Sequence, residues 1–241
     1  TFRIRFARTG PAAWIGHLDL MRVFERALRR ACLPAAFTQG FNPHPVMTFA
    51  LPLGVGVETR DDYAEIGLSE DMDPALFARR LSAALPEGLA VSQAQAVASE
   101  GGPGLMARVR AAEYRLEFPG ASAACRRLLD RMARPGDDGA LPVEKKGKNG
   151  VRTLDLRPLV LSLDPAPPAL PAAGPAGGVA QATPVSARES ARDALSALVA
   201  AGSRENLRPD LLLDALVRYA GVPEAVAGNA RILRTGLFVD G

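Results

Sequence analysis

The sequence predicts an α+β protein made of two βαββαβ halves, the second a degenerate copy with an inserted loop and helix. Segments of period-two alternation and of helical spacing follow one another in that order over residues 1–98. The order partly recurs after a break rich in glycine and proline. A length of 241 residues, 48% hydrophobic and 23% charged, suits two small domains that each bury a core.

The first strand is TFRIRFAR, where Phe2, Ile4 and Phe6 alternate with Arg3 and Arg5, and Arg8 follows, so one face should be strongly basic. Leu18 to Cys32 has helical spacing, with Leu20, Phe24, Ala27, Leu28 and Ala31 on one side and Pro34 as the stop. Val46 to Val57 and Tyr63 to Leu68 read as a β-hairpin around the turn-like ETRDD. Asp73-Pro74 opens a helix from Ala75 to Leu85, and Leu89 to Val97 closes the first half as a strand.

Residues 99–111, beginning SEGGPGLM, have the composition of a linker. Beyond it, Tyr114 to Phe118 reads as a strand and Ala121 to Ala133 as a helix. Leu141 to Lys146 and Val151 to Leu156 form a hairpin around Asn149-Gly150, a dipeptide that tolerates a type I′ turn. Residues 165–206 are an insertion: a Pro/Ala/Gly-rich loop, then a helix to about Ala201 opened by the capping box of Ser186 and Glu189. Asp210 to Tyr219 is a helix started by Pro209, and Ala230 to Val239 is the last strand. The expected architecture is thus a tandem of ferredoxin-like domains, residues 1–98 and 112–241, each with helices on one face of an antiparallel sheet.

Charge is concentrated. Residues 1–50 carry seven arginines against Asp19 and Glu25, and residues 143–160 carry a net +3, although the whole chain is only +3. Two basic patches on an otherwise acidic chain point to a polyanion. On the first helix Arg22, Arg26 and Arg29 recur at i, i+4 and i+7 beside Arg30, and guanidinium forks match phosphate oxygens. The plainer reading is a solvated face with Glu25 paired to Arg29. The second patch is the hairpin 143–157, with Lys145, Lys146, Lys148 and Arg152.

Both histidines fall near the first patch. His17, just before the helix, is either a general acid or base or a structural residue packed on Trp14 and hydrogen-bonded to the backbone. His44 sits in Asn42-Pro43-His44-Pro45, where two prolines stiffen the loop for recognition or simply make a rigid turn. Phe41, ahead of Phe37, is the aromatic placed to stack on a base, with Asn42 and His44 beside it.

Other chemistry is excluded by pattern. Walker A, GxGxxG, HExxH and GxSxG motifs do not occur. Cys32 and Cys125 are far apart and lack metal-ligand spacing, so no metal site and no cofactor is expected, and both read as buried thiols. Asp155 and Arg157 should pair to shape the turn after the hairpin. No apolar run approaches the roughly 18 residues of a membrane span, and no signal peptide pattern is visible, which leaves the cytoplasm as the expected location.

The ordered run GHLDLMRVFERALRRACLP, QGFNPHP, FALPLGVGVE and YAEI, with EKKGKNGVRTLDLRP and RPDLLLDAL further on, resembles a family of radical-SAM-linked proteins defined by a domain of unknown function. The resemblance implies a radical SAM enzyme of the B12-binding type as partner, because family members accompany or are fused to one. A weaker resemblance, in element order and the place of His17, is to the tandem ferredoxin-like endoribonucleases that process CRISPR repeats.

The expected function is therefore an accessory RNA-binding protein that presents tRNA or rRNA to a radical SAM enzyme. Two alternatives stay open: a metal-independent endoribonuclease, or other RNA-acting enzyme, using His17 or His44, and a docking module whose basic patches meet an acidic face of the partner enzyme.

Overall fold

The computed structural model describes residues 1–97, 104–147, 150–167 and 193–239, without the side chains of Asp137 and Lys146. In chain order the elements are β1 (Phe2–Arg8), α1 (His17–Arg30), β2 (Met47–Phe49), β3 (Val57–Ile66), α2 (Pro74–Ala84) and β4 (Leu89–Ala96). They continue with α3 (Leu105–Arg108), β5 (Val109–Glu117), α4 (Ala121–Met132), β6 (Pro142–Gly147), β7 (Gly150–Asp155) and β8 (Val160–Ala166). The chain ends with β9 (Ala194–Ala200), α5 (Pro209–Ala220), α6 (Glu224–Gly228) and β10 (Arg231–Val239). The fold is α+β. It divides into unit 1, Thr1–Glu113 with Ala200–Asn206 and Leu233–Gly241, and unit 2, Tyr114–Val199 with Leu207–Ile232.

In unit 1 the strands run β4-β1-β3-β10, and β2 also pairs with β3. Ile4 of β1 stands opposite Ala64 of β3 and Ala94 of β4, both antiparallel. The apolar positions of β1 are buried on the face that α1 and α2 cover. There Phe6 meets Phe24 of α1 edge to face at 5.5 Å and Phe49 at 5.4 Å, while Phe2 meets Phe77 of α2 at 5.1 Å. Such ring pairs add about 0.5–1.5 kcal/mol each beyond their burial. Asp73 caps α2 by accepting from the Ala75 amide at 2.7 Å.

Several expectations need correction here. The basic face of β1 is not free: Arg3 is paired with Glu65 and Arg5 with Asp61 on β3. Arg8 lies on the apolar face and is buried. ETRDD is no turn but the first half of β3, with Thr59 and Asp62 buried, Glu58 and Asp61 partly buried and Arg60 exposed. Its polar composition is tolerated because Arg234 of β10 pairs with Asp62 inside the protein.

In unit 2 the strands run β5-β9-β8, with Leu163 of β8 antiparallel to Ala197 of β9. α4 and α5 bury Cys125, Leu128, Leu212 and Leu216. β6 and β7 form a separate two-stranded sheet. The inserted helix expected up to Ala201 is replaced over Ala194–Ala200 by strand β9. A short apolar run such as ALSALVA does not separate helix from buried strand by periodicity, and here both faces are covered. The capping box Ser186/Glu189, the turn residue Asn149 and most of the Pro/Ala/Gly-rich loop lie outside the described residues. The expected linker 99–111 is structured where described, as α3 and the start of β5. Residues 200–206 and 233–241, read from sequence as part of a second domain, belong to unit 1.

Candidate functional site

The spacing of α1 puts Leu18, Arg22, Glu25 and Arg29 on one stripe, exposed except at the partly buried Glu25, opposite the buried Leu20, Phe24, Ala27 and Leu28. Against this stripe stands the loop from Ala36 to Val46. It is stapled at its base by the Val46 amide donating to the Ala36 carbonyl at 2.8 Å. Higher up, the Thr38 amide donates to the His44 carbonyl at 2.8 Å, and the His44 amide donates to Thr38 Oγ1 at 3.0 Å. The tip is thereby reduced to Gln39–Pro43, with Gly40 at φ +130°, a conformation that side chains resist.

His44 Nδ1 lies 3.9 Å from Glu25 Oε1, which places the loop over the middle of the α1 stripe. Glu25 therefore faces His44 and not Arg29, against the expected helix pair. Arg22 is bonded to Asp19 at 2.9 Å, an exposed pair that holds little energy, and Arg26 donates to the Arg22 carbonyl at 3.2 Å. Arg30 points away and donates to the Ala84 carbonyl at the end of α2. Phe41, at the tip, is fully exposed, and Phe37, at the base of the loop, is 44% exposed. The structure thus sets His44 beside Glu25 on the helix that carries Arg22, Arg26 and Arg29, keeps Phe41 and Asn42 on the same loop as His44, and directs Arg30 to α2.

His17 opens α1 and is half buried. Its ring meets Phe49 edge to face at 5.6 Å instead of packing on Trp14, and its buried Nδ1 makes no hydrogen bond. Burial, and then the charge of Arg8, hold its pKa below the ordinary 6.5, so the imidazole is neutral at neutral pH. Arg8 organises the neighbourhood. Its guanidinium donates to Ile15 O at 3.0 Å, to Gly54 O and to Val57 O, tying the segment before α1 to the turn before β3. Burial brings Arg8 down to about 10, with the charge of Arg234 adding to the effect, and it remains charged at neutral pH. Trp14 rides on this clamp: a Cβ at Gly56 would stand 3.6 Å from its ring, yet the indole is 72% exposed. Trp14, like Leu18 and Val55, is an exposed apolar side chain that sequence reasoning did not assign to a ligand. A lone tryptophan two residues before a Gly-His helix start was its one visible signal.

The second patch belongs to unit 2. Lys145 of β6 is directly opposite Arg152 of β7, and Arg152 is exposed. The Lys146 side chain and Lys148 lie outside the described residues. Asp155 does not pair with the Arg157 guanidinium. Its Oδ1 accepts from the amides of Leu141 at 2.8 Å and Arg157 at 3.0 Å. Of the two thiols only Cys125 is buried, and burial pushes it up to about 11. Cys32 is exposed because it follows the end of α1 at φ 48°, which turns it outward.

Among the described residues no three His, Cys, Asp or Glu side chains are grouped to hold a metal ion. No described helix is long and apolar enough to cross a membrane. Comparison with curated proteins finds no match. A family model described as an uncharacterized protein conserved in bacteria, DUF2344, matches residues 1–209, which spans β1 to the start of α5. The chain belongs to that bacterial family.

Proposed function

We propose that the protein is an RNA-binding accessory subunit, built on a tandem ferredoxin-like plan, that presents a tRNA or rRNA to a radical SAM enzyme. One observation carries the RNA half: His44, on the loop that exposes Phe41, lies 3.9 Å from Glu25 of α1, the helix that exposes Arg22, Arg26 and Arg29. An exposed aromatic ring on a loop that packs against an arginine-bearing helix suits an unstacked base and its phosphates. The stapled loop is already ordered, so little conformational entropy is lost on binding. Lys145 and Arg152 of the hairpin supply further cations. The partner half rests on the sequence motifs of the family. With two cysteines the chain has too few for a radical SAM cluster, so its contribution is recognition.

The test is crosslinking and immunoprecipitation from cells, comparing wild type with an Arg22→Glu/Arg26→Glu variant. A discrete RNA recovered with wild type and lost with the variant supports the reading and names the substrate. Recovery of a partner enzyme without RNA moves the function to protein docking through the basic patches.

A second reading, a metal-independent ribonuclease, is favoured by the carboxylate–imidazole geometry of Glu25 and His44. It requires RNA cleavage in EDTA that His44→Ala abolishes while binding persists.

A further inference from the structure

Lys145 and Arg152 of unit 2 make no ion pair with a described carboxylate. Lys145 and Arg152 face each other directly in the antiparallel register. Like charges so placed oppose strand pairing. Successive residues of a strand alternate faces, so this pair shares a face with Val143 and Leu154. Val143 is buried, and that face therefore turns inward at the base of the hairpin and carries Lys145 and Arg152 farther out.

At the base, α5 delivers Tyr219, whose hydroxyl donates to the Pro142 carbonyl at 2.7 Å. Arg218 donates to the same carbonyl at 3.3 Å. The Arg131 guanidinium of α4 lies over the Tyr219 ring, 4.3 Å from its centroid, and that of Arg218 lies at 5.6 Å. Arg131 also donates to the Ala140 carbonyl at 3.0 Å, and Arg157 donates to the Met132 carbonyl at 3.3 Å. These three guanidiniums are held by neutral carbonyls and an aromatic ring, and none is ion-paired with a described carboxylate. The nearest carboxylates on the hairpin are committed or turned away: Asp155 accepts from two amides, and Glu144 stands opposite Thr153 on the other face. These contacts hold the guanidiniums in place.

We propose that Arg131, Arg157, Arg218, Lys145 and Arg152 form a surface for the phosphodiester backbone of RNA, with Tyr219 as the post that spaces the guanidiniums. The assignment rests on the RNA reading above and adds the arginines of α4, α5 and the turn after β7 to it. Guanidiniums held from behind keep free N–H groups for phosphate oxygens. RNA is favoured over a protein partner because five cations in one surface match the repeated phosphates of a polyanion, whereas lysine is depleted in protein interfaces.

The test uses the full chain, a short fluorescein-labelled single-stranded RNA and fluorescence anisotropy across a salt series. Lys145→Gln/Arg152→Gln removes two cations that anchor nothing and should melt no lower than wild type, since it removes a repulsion. It should also reduce the slope of log affinity against log salt by about 0.7 per cation. Arg218→Gln should reduce it by a similar step, whereas Phe41→Ala should lower affinity with the slope unchanged. If wild type binds no RNA, the RNA reading itself fails. If wild type binds but the slope and affinity survive all the unit 2 substitutions, this surface fails while the unit 1 site stands. Displacement of the RNA by poly-glutamate at equal charge would reassign the surface to an acidic protein and overturn the proposal.

Discussion

Asp62 of β3 and Arg234 of β10, 172 residues apart in the chain, form an ion pair in which both side chains are about 1% exposed. Burial pushes the Asp62 carboxyl up, and Arg234 draws it back toward the charged form. Arg234 also donates to the Leu51 carbonyl at 2.8 Å, and its own carbonyl accepts from Thr59 Oγ1 at 3.2 Å. The pair thus ties the last strand of the chain to the middle of β3 and to the segment after β2.

Removing one partner leaves an uncompensated charge in the core, beside the equally buried Arg8. Asp62→Asn should destabilise the protein by about 3–5 kcal/mol, read as a shift in the urea midpoint. An Asp62→Leu/Arg234→Met double substitution should recover much of that loss, because two apolar groups leave no charge behind. A single substitution within about 0.5 kcal/mol of wild type would mean the pair does not organise this strand.

His17 makes stability depend on acid. Its folded pKa lies below 6.5, so folding favours the neutral ring. The linked stability is fully present above the unfolded value and is lost as pH falls through the folded one. Wild type should therefore lose stability relative to His17→Gln as pH drops below 6.5, with a constant gap above it. Urea titrations of both proteins at several pH values measure this. A gap independent of pH throughout would contradict the neutral, half-buried ring.

Phe41 contributes nothing to the core, since it is wholly exposed at a loop tip closed by Thr38 and His44. Phe41→Ala should leave the melting temperature unchanged and weaken RNA binding by about 1–3 kcal/mol, the cost of one lost base stack. Anisotropy with wild type and variant at one salt concentration is sufficient. An unchanged affinity would remove the aromatic from the site and leave the arginines of α1 as a purely electrostatic contact.

The two thiols should separate cleanly. Cys32 is exposed and should react with a thiol reagent in the native protein, whereas Cys125 is buried with its thiol pushed up to about 11 and should react only on unfolding. Labelling before and after denaturant, followed by mass spectrometry of the peptides, reads both. Native labelling of Cys125 would show that the α4 face opens.

The sequence by itself determined the elements whose signals are local. The alternation of Phe2, Ile4 and Phe6, the helical spacing of α1 and the Asp73-Pro74 start of α2 are each read within a dozen residues, and each element stands where it was expected. The exposed stripe of Arg22, Arg26 and Arg29 was equally legible, because a helix face follows from spacing alone. Only the tertiary structure decided what depends on a distant partner. ETRDD looks like a turn until Arg234 neutralises Asp62, and ALSALVA resembles a helix until its neighbours cover both faces as β9. Arg8 reads as a surface arginine until three carbonyls, one before α1 and two from the turn into β3, surround it. Likewise, no spacing rule could bring His44 over Glu25, or Arg131 and Arg218 onto Tyr219. A buried charge is stable only beside its counter-group, and such groups meet through folding and not through sequence proximity.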